Sequence, residues 1–598
     1  MKRKTFFYAF LFVLCFFAIV LYWLVEYLRR FFGTSDLETV FFHLKFPMLN
    51  AGSTVILNFL NTVLLPSVLF TTAIFVAPRI FKMLLRLPLQ NKLFQRFLFF
   101  LFAAMLCALW QAWFYLSLPV FVVIALFSFF WVDIAAVLQQ RKIATRAALI
   151  AHLIVIVGVI GFCGHYVSNK FNLLEFIKAQ YDFSDFYEKN YVKFDDSALK
   201  DFTPKQNLVV ILAESLTPAI HWALNIPTEK KEVAARLEDP ALPNLHKILR
   251  QNWFFEAENA KGGGGYAGYG GLITLINTWT VAGYVSHLCG VPLRMPIERT
   301  VAPRGPFMQN AECVPDIFKK AGYAQIAVSG TDWRFAGLKN LFQTHGVSVH
   351  DLKYFQAQKM LPPTLRSEFI GISLVGGNSF GVVLPKDVQG AGNWGINDKT
   401  LFKLAKQEFL NATQKQQPFV MYLATMDTHG EPFEKENLSC PDLPNSRIGT
   451  YQCADRLIAD FVDFILQNSK NTSIVILGDH SPIVVMNEHL RSLAINTLTT
   501  QERNEIRDGK TDQYFAPVYN AFIHPLFAQT AEKSLTHNRQ LTHFDVAPML
   551  LESVGIRSDA FALGRNPLRG KTLLETSYPY EEFQKEIKRR NRFYDAFW

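Results

Sequence analysis

Long stretches of this 598-residue chain contain no Asp, Glu, Lys or Arg. Phe6 to Val25, Ser53 to Ala77, Phe97 to Leu118 and Ala147 to Val167 are free of charge, and Val120 to Leu138 carries only Asp133. With half of all residues hydrophobic and 55 of them Phe, this poverty of charge excludes an ordinary soluble protein. Each run has about the 20 residues needed to cross a hydrocarbon core. No small-residue cleavage site follows the first run, so it reads as an anchor, not a removable signal peptide. The chain has no C-x-x-C pair, which weakens a cysteine-based metal site. Apart from the run Gly262 to Gly271, no internal repeat or low-complexity tract stands out, which excludes a repeat architecture.

What charge there is falls in informative places. Lys and Arg outnumber Asp and Glu by 60 to 50. A basic balance can serve nucleic acid or mark cytoplasmic loops, and location decides between them. Lys2, Arg3 and Lys4 precede the first run. Arg79, Lys82, Arg86, Lys92 and Arg96 follow the second, and Arg141, Lys142 and Arg146 follow the fourth. Five spans with a cytoplasmic N-terminus put all three clusters on one side, so no nucleic-acid partner is expected. Arg29, Arg30 and Lys45 in the first outer loop break the pattern slightly. Everything after about residue 168 then lies outside the cytoplasm. Residues 1–168 form the expected anchor, 169–205 a connector, 206–578 a catalytic domain and 579–598 a tail. The connector fits an interfacial helix or a solvent-facing linker equally well.

Four of the seven cysteines, Cys289, Cys313, Cys440 and Cys453, fall in the outer part. An oxidising compartment allows two disulfides there. Cys289–Cys313 and Cys440–Cys453 are the local pairings, and two other connectivities stay open. From Gln206 onward, short apolar runs alternate with helical stretches. The runs are Leu208–Ala213, Ala324–Val328, Phe419–Ala424, Ser473–Leu477 and Val518–Ile523. The helical candidates include Pro315–Ala321, Lys399–Leu410 and Tyr451–Gln467. Such alternation predicts an α/β domain with a mostly parallel central sheet.

Ligands of open α/β sheets bind beyond the carboxyl ends of the strands. Glu214-Ser215 follows the first run and Ser329-Gly330-Thr331-Asp332-Trp333-Arg334 the second. Asp427-Thr428-His429 follows the third and Gly478-Asp479-His480-Ser481 the fourth. One such cluster is often only a turn or a helix cap. Four at one sheet edge suggest a site. Glu214, Asp479 and His480 offer oxygen and imidazole ligands suited to Zn²⁺ or Mn²⁺. Thr280 opens an apparent helix after the glycine run, where a phosphate is favoured. On residue type alone it competes as a nucleophile with Thr274, Thr278 and Ser286.

These segments resemble the sulfatase/alkaline-phosphatase-like membrane transferases: lipopolysaccharide phosphoethanolamine transferases, periplasmic glucan phosphoglycerol transferases and lipoteichoic acid synthases. The resemblance rests on Asn207–Ser215, Thr280–Leu293, Cys313–Tyr323, Gly330–Gly337, Asp427–His429, Gly478–His480 and Ala562–Leu568. It implies an alkaline-phosphatase-like domain with a divalent metal, Zn²⁺ before Mn²⁺, held by Glu214, Thr280, Asp479 and His480. It implies that Thr280 is the nucleophile and forms a phospho-threonine. Trp333, Arg334 and His429 would surround the donor headgroup and phosphate, with His429 moving a proton. The implied donor is a membrane phospholipid and the acceptor a lipopolysaccharide or other glycan. The implied location is the bacterial inner membrane, with the catalytic domain periplasmic. Phosphoethanolamine on lipopolysaccharide is slightly preferred as the transferred group, although the Thr280 segment is closest to the phosphoglycerol-transferase pattern. The glycine run departs from the family's pattern. So does Cys289-Gly290-Val291-Pro292-Leu293-Arg294, one residue longer than the C-x-P-x-R from which sulfatases make formylglycine, which argues against sulfate-ester hydrolysis. Two other classes stay open: a phosphoester hydrolase using the same metal site, and a non-catalytic membrane assembly protein.

Overall fold

The computed structural model describes residues 2–32, 37–38, 41–42, 59–86, 144–179, 181–217, 241–255, 279–295, 305–361, 391–392, 395–429, 438–480, 518–536 and 539–598. The expected spans 97–118 and 120–138, the glycine run 262–271, Thr274 and Thr278 lie outside these residues, as do the basic loop residues Lys45, Lys92, Arg96, Arg141 and Lys142. The chain divides into two compact units. One joins Met1–Arg30 to Asn58–Leu173, and the other joins Phe31–Leu57 to Leu174–Trp598.

Among the described residues, the first unit is helical. Helix α1 runs Lys2–Phe32, α2 Leu65–Arg86 and α3 Ala144–Lys170, and a π-helical turn, Leu60–Leu64, leads into α2. Among the described residues, Phe6–Leu28 and Leu153–Lys170 are long and apolar enough to cross a bilayer, and Leu60–Val76 is apolar but shorter. Aromatic contacts join the helices: Phe12 meets Phe75 edge-on at 5.1 Å, and Tyr22 lies 4.6 Å from Tyr166.

The second unit is built on six strands: β1 (Asn207–Ala213), β2 (Ala324–Ser329), β3 (Ser348–His350), β4 (Phe419–Ala424), β5 (Thr472–Gly478) and β6 (Asn520–Ile523). Their order is β3-β2-β4-β1-β5-β6, all parallel except β6 against β5. The apolar runs are continuous because both faces of the sheet are covered. Leu208, Val210 and Leu212 enter one core while Val209, Ile211 and Ala213 enter the other. The first core also takes α5 (Thr280–Cys289), α6 (Val314–Lys320) and α9 (Val546–Glu552). The second takes α4 (Pro243–Gln251), α7 (Asp398–Gln414) and α8 (Arg447–Asn468). Each fully buried Val, Leu or Ile contributes about 1.5–3 kcal/mol, so the two cores dominate the stability of this unit.

All five expected strands are present, with ends shifted by a residue or two. Helix α8 begins four residues before the expected Tyr451 because its cap lies upstream, α7 starts one residue early and runs on to Gln414, and α6 is shifted by one residue. Asn397 accepts from Thr400 N–H at the start of α7, and Ser446 from Gly449 N–H at the start of α8. Strand β3 was not expected; it has only three residues. Both local disulfides, Cys289–Cys313 and Cys440–Cys453, are formed. Residues 579–598 pack on the first core: Tyr594, Phe597 and Trp598 are buried in it, and Trp598 Nε1 donates to Arg294 O at 2.7 Å.

Candidate active site

Strands β1 and β5 are parallel neighbours, with Leu212 opposite Leu477 and Ala213 opposite Gly478. The residues that follow, Glu214 and Asp479-His480, therefore emerge side by side. The turn after β1 is tight. Ser215 has a φ of 52°, and a Cβ on Gly478 would lie 2.0 Å from Leu216 O. Two threonines from the end of β4 fix Glu214 by its backbone: Glu214 N–H donates to Thr425 Oγ1 at 3.1 Å, and Thr428 Oγ1 donates to Glu214 O at 2.5 Å.

The third contributor is α5. Gly283, one turn into that helix, lies so close to the β5 end that a Cβ there would sit 2.2 Å from Asp479 O. Only glycine lets the helix approach this far, and the approach carries Thr280 to the cluster. Thr280 Oγ1 donates to Glu214 Oε2 at 3.2 Å and lies 3.5 Å from His480 Nε2. His480 Nε2 is 3.2 Å from Glu214 Oε1 and 3.6 Å from Asp479 Oδ2.

Asp479 divides its oxygens between two tasks. Oδ1 accepts from Ser215 N–H at 2.8 Å and His480 N–H at 2.7 Å. Oδ2 is buried and makes no hydrogen bond. A buried carboxylate oxygen without a donor is costly and calls for a cation. Ligand atoms of Glu214, Asp479 and His480 all lie within 4.8 Å of one another. Four ligands around a tetrahedral ion with bonds of 2.0–2.2 Å stand about 3.4 Å apart. Four of the separations, at 3.2–3.6 Å, are close to this, and the ligand atoms of Glu214, Asp479 and His480 lie no more than 4.8 Å apart, so the residues can hold a divalent metal.

The family assignment follows. The sulfatase family matches residues 206–556, more than half of the chain and all four of these residues. The chain belongs to the sulfatase family. Relatives include phosphoglycerol transferase I of Xanthomonas axonopodis pv. citri, 33% identical over 214 residues, and that of Citrobacter koseri, 27% identical over 241. These matches cover 34% and 38% of this chain but 27% of either relative, so the chain spans about a quarter of the length of the curated relatives it matches. Among solved structures, the lipoteichoic acid synthase LtaP from Listeria monocytogenes superposes with a TM-score of 0.37 at 12% identity, covering 61% of this chain and 76% of that one. The C-terminal periplasmic domain of EcEptC from Escherichia coli gives 0.36 at 13% identity, covering 64% and 90%.

This sulfatase-family chain has no cysteine to spare for formylglycine beside Thr280. Cys289 is bonded to Cys313, and Arg294 is held by Glu38, Ile587 O and Arg589 O. Electrostatics polarise the cluster. Burial pushes Glu214 up, but His480 and His429 outweigh it and hold the carboxyl at about 2. Burial and the Glu214 charge push Asp479 up to about 8. Without a cation the pair therefore keeps a proton on Asp479, which a divalent ion would displace.

The structure brings Glu214, Thr280, Asp479 and His480 together, and His429 acts on Glu214 through its charge. Trp333 and Arg334 lie outside this hydrogen-bonded cluster. Trp333 is buried, stacks on Phe342 at 4.8 Å and reaches Tyr284 of α5 at 6.4 Å. Arg334 is half exposed and forks onto the buried Asp332 at 2.6–3.1 Å. The sequence pointed to Asp427-Thr428-His429 as one cluster but gave no role to Asp427 or Thr428, and it did not single out Thr425 or Asp398. Asp398 accepts from Met426 and Asp427 N–H, Asp427 accepts from Asp398 N–H and Ser439 Oγ, and together they fix the loop that carries His429. Burial pushes both acids up, Asp398 to about 6. Asp427 and Thr425 stand beside the end of β4, whereas Asp398 only opens α7.

Proposed function

We propose that this protein is a membrane-anchored transferase that moves glycerol phosphate from a membrane phospholipid to an extracytoplasmic glycan through a phospho-threonine at Thr280. The observation that carries this reading is the Thr280 hydroxyl, bonded to Glu214 and beside His480 at the first turn of a helix. A threonine hydroxyl is a poor nucleophile without activation, and this one sits where activation is available. Glu214, Thr280, Asp479 and His480 would hold a divalent metal, Zn²⁺ before Mn²⁺, which supplies positive charge for the phosphoryl oxygens and lowers the hydroxyl pKa.

In the first step Thr280 Oγ1, having released its proton to solvent under that lowered pKa, attacks the donor phosphorus as an alkoxide. The bond from phosphorus to the diacylglycerol oxygen breaks, and that oxygen takes a proton from His429. In the second step an acceptor hydroxyl gives its proton to His429 and attacks the same phosphorus, and Thr280 leaves as the alkoxide that began the cycle. His429, on the loop fixed by Asp398 and Asp427, is the group assigned to both proton transfers. Arg334 suits bidentate contact with the donor phosphate, and Trp333 shapes its surroundings through α5. Glycerol phosphate is preferred to ethanolamine phosphate because the curated relatives are phosphoglycerol transferases.

The proposed topology has five spans, a cytoplasmic N-terminus and a periplasmic catalytic domain in a bacterial inner membrane. Support comes from residues 31–57, which belong to the same compact unit as 174–598. Two segments of one unit share one side of a membrane, so the chain between them crosses an even number of times. Helices α2 and α3 with the two apolar runs 97–118 and 120–138 satisfy that parity.

The test is purified full-length protein with phospholipid labelled in the glycerol or the ethanolamine headgroup, and a glycan acceptor. Glycerol phosphate on Thr280 and then on the glycan is the expected result. Ethanolamine phosphate there instead would reverse the donor preference. Release to water with no glycan labelled would indicate a hydrolase, and no label on the protein in any arm would favour a non-catalytic role.

A further inference from the structure

The segment between α1 and α2 reaches the helix that carries Thr280. Phe42 is 2% exposed. Its ring meets Trp279 edge-on at 4.8 Å and lies 6.1 Å from the buried Phe307. Trp279 is the residue immediately before Thr280 and caps α5. Its backbone is extended, at φ −148° and ψ 156°, and its carbonyl accepts from Gly283 N–H at 3.0 Å. Its ring packs on Phe42, and this contact helps to orient the residue.

The same segment holds the chain beyond the other end of α5. Glu38 receives Arg294 through Nε at 3.0 Å and Nη2 at 2.5 Å, and Arg294 lies five residues past Cys289. Arg294 is itself fixed by Ile587 O at 3.0 Å and Arg589 O at 2.7 Å. Two contacts from one short stretch thus bracket the helix.

We propose that Phe42 is a positioning residue for Thr280: the inter-helix segment, anchored by Glu38 on Arg294, holds Trp279 and so keeps the Thr280 hydroxyl within reach of Glu214 and His480. This rests on the reading of Thr280 as the nucleophile. The tolerance is small, because a displacement of about 1 Å at a reacting atom costs about a hundredfold in rate. Catalytic competence therefore depends on residues supplied by the membrane-proximal part of the chain. The sulfatase-like domain does not complete its site alone.

The experiment uses full-length protein in nanodiscs with a labelled phosphatidylglycerol donor, comparing wild type with Phe42→Ala, Phe42→Leu, Glu38→Gln and Thr280→Ala. Phe42→Ala should lower kcat about tenfold or more with KM within about twofold and bound zinc unchanged. Phe42→Leu, which keeps apolar bulk, should recover most of the loss. Hydrogen exchange at the amides of Val281 to Tyr284 should rise in Phe42→Ala and, less, in Glu38→Gln. Thr280→Ala inactive with Phe42→Ala at wild-type kcat and exchange would overturn this inference and leave the nucleophile intact. Thr280→Ala fully active would overturn the nucleophile. Exchange then still decides the positioning claim, since no rise in Phe42→Ala defeats it. If Phe42→Ala fails to fold, Glu38→Gln and Phe42→Leu carry the same comparison.

Discussion

Two strand ends of one sheet carry similar residues and have different fates. Beyond β2, Asp332 is buried and Arg334 forks onto it, so its charge is answered within two residues. Beyond β1 and β5, two carboxylates and an imidazole converge, and Asp479 Oδ2 is left buried without a hydrogen bond. The first end is electrostatically complete and the second is not. A ligand site is marked by what the fold leaves unanswered, more than by how many polar residues it collects.

The largest effect should come from removing the hydroxyl at the incomplete end. Thr280→Ala is expected to reduce group transfer by about 10⁴-fold or more, with donor lipid still bound, as a labelled-lipid assay would show. Retained activity would erase the contrast.

Next comes the unanswered oxygen. Asp479→Asn should abolish stoichiometric zinc, measured by elemental analysis, while Asp332→Asn should not. The pH behaviour follows from Asp479, pushed up to about 8 by burial and the Glu214 charge. Between its ordinary acid range and pH 8 the metal-free folded protein binds a proton that the unfolded chain has released. Its stability therefore falls as pH rises through that window. Asp479→Asn should flatten this slope in thermal melts, and added zinc should bind more tightly as pH rises towards 8.

Gly283→Ala probes the close approach itself. A Cβ 2.2 Å from Asp479 O must push α5 away. A loss of about 1–3 kcal/mol in chemical denaturation is expected, with a fall in kcat greater than stability alone explains. Wild-type kcat would show that Thr280 does not depend on this contact.

The smallest effect belongs to the complete end. Arg334→Ala should raise KM for the donor about tenfold and leave zinc content unchanged, because half of this side chain faces solvent. An unchanged KM would mean that its fork serves Asp332 alone.

How much of this was legible follows from the range of each interaction. The sheet was readable because Leu208–Ala213, Phe419–Ala424 and Ser473–Leu477 are buried on both faces, and such burial writes an apolar run into the chain. Strand β3 was not, because three residues form no run. Glu214, Asp479 and His480 were readable as residues following strands. That they meet depends on β1 pairing with β5, which no local pattern encodes. The choice of Thr280 over its neighbours came from family resemblance, and Gly283 supplies its physical reason only in three dimensions. Asp427 was readable as a strand-end residue, but its pairing with Asp398 was not, because the two acids lie 29 residues apart and Asp398 alone resembles a helix start. Phe42 was hidden more deeply, between two apolar runs in a chain with 55 Phe, where one more Phe carries no information.

The aromatic cluster at Phe307 has a consequence for timing. Phe307 lies 6.1 Å from Phe42 and 5.0 Å from Trp598, so one ring joins residues separated by more than five hundred positions. Contacts this distant in sequence form late, because the intervening chain must first be brought together. Phe42 is made long before Trp598 and cannot complete this packing until Trp598 has been made. During biosynthesis, then, the helix that carries Thr280 gains this support only after Trp598 has been made.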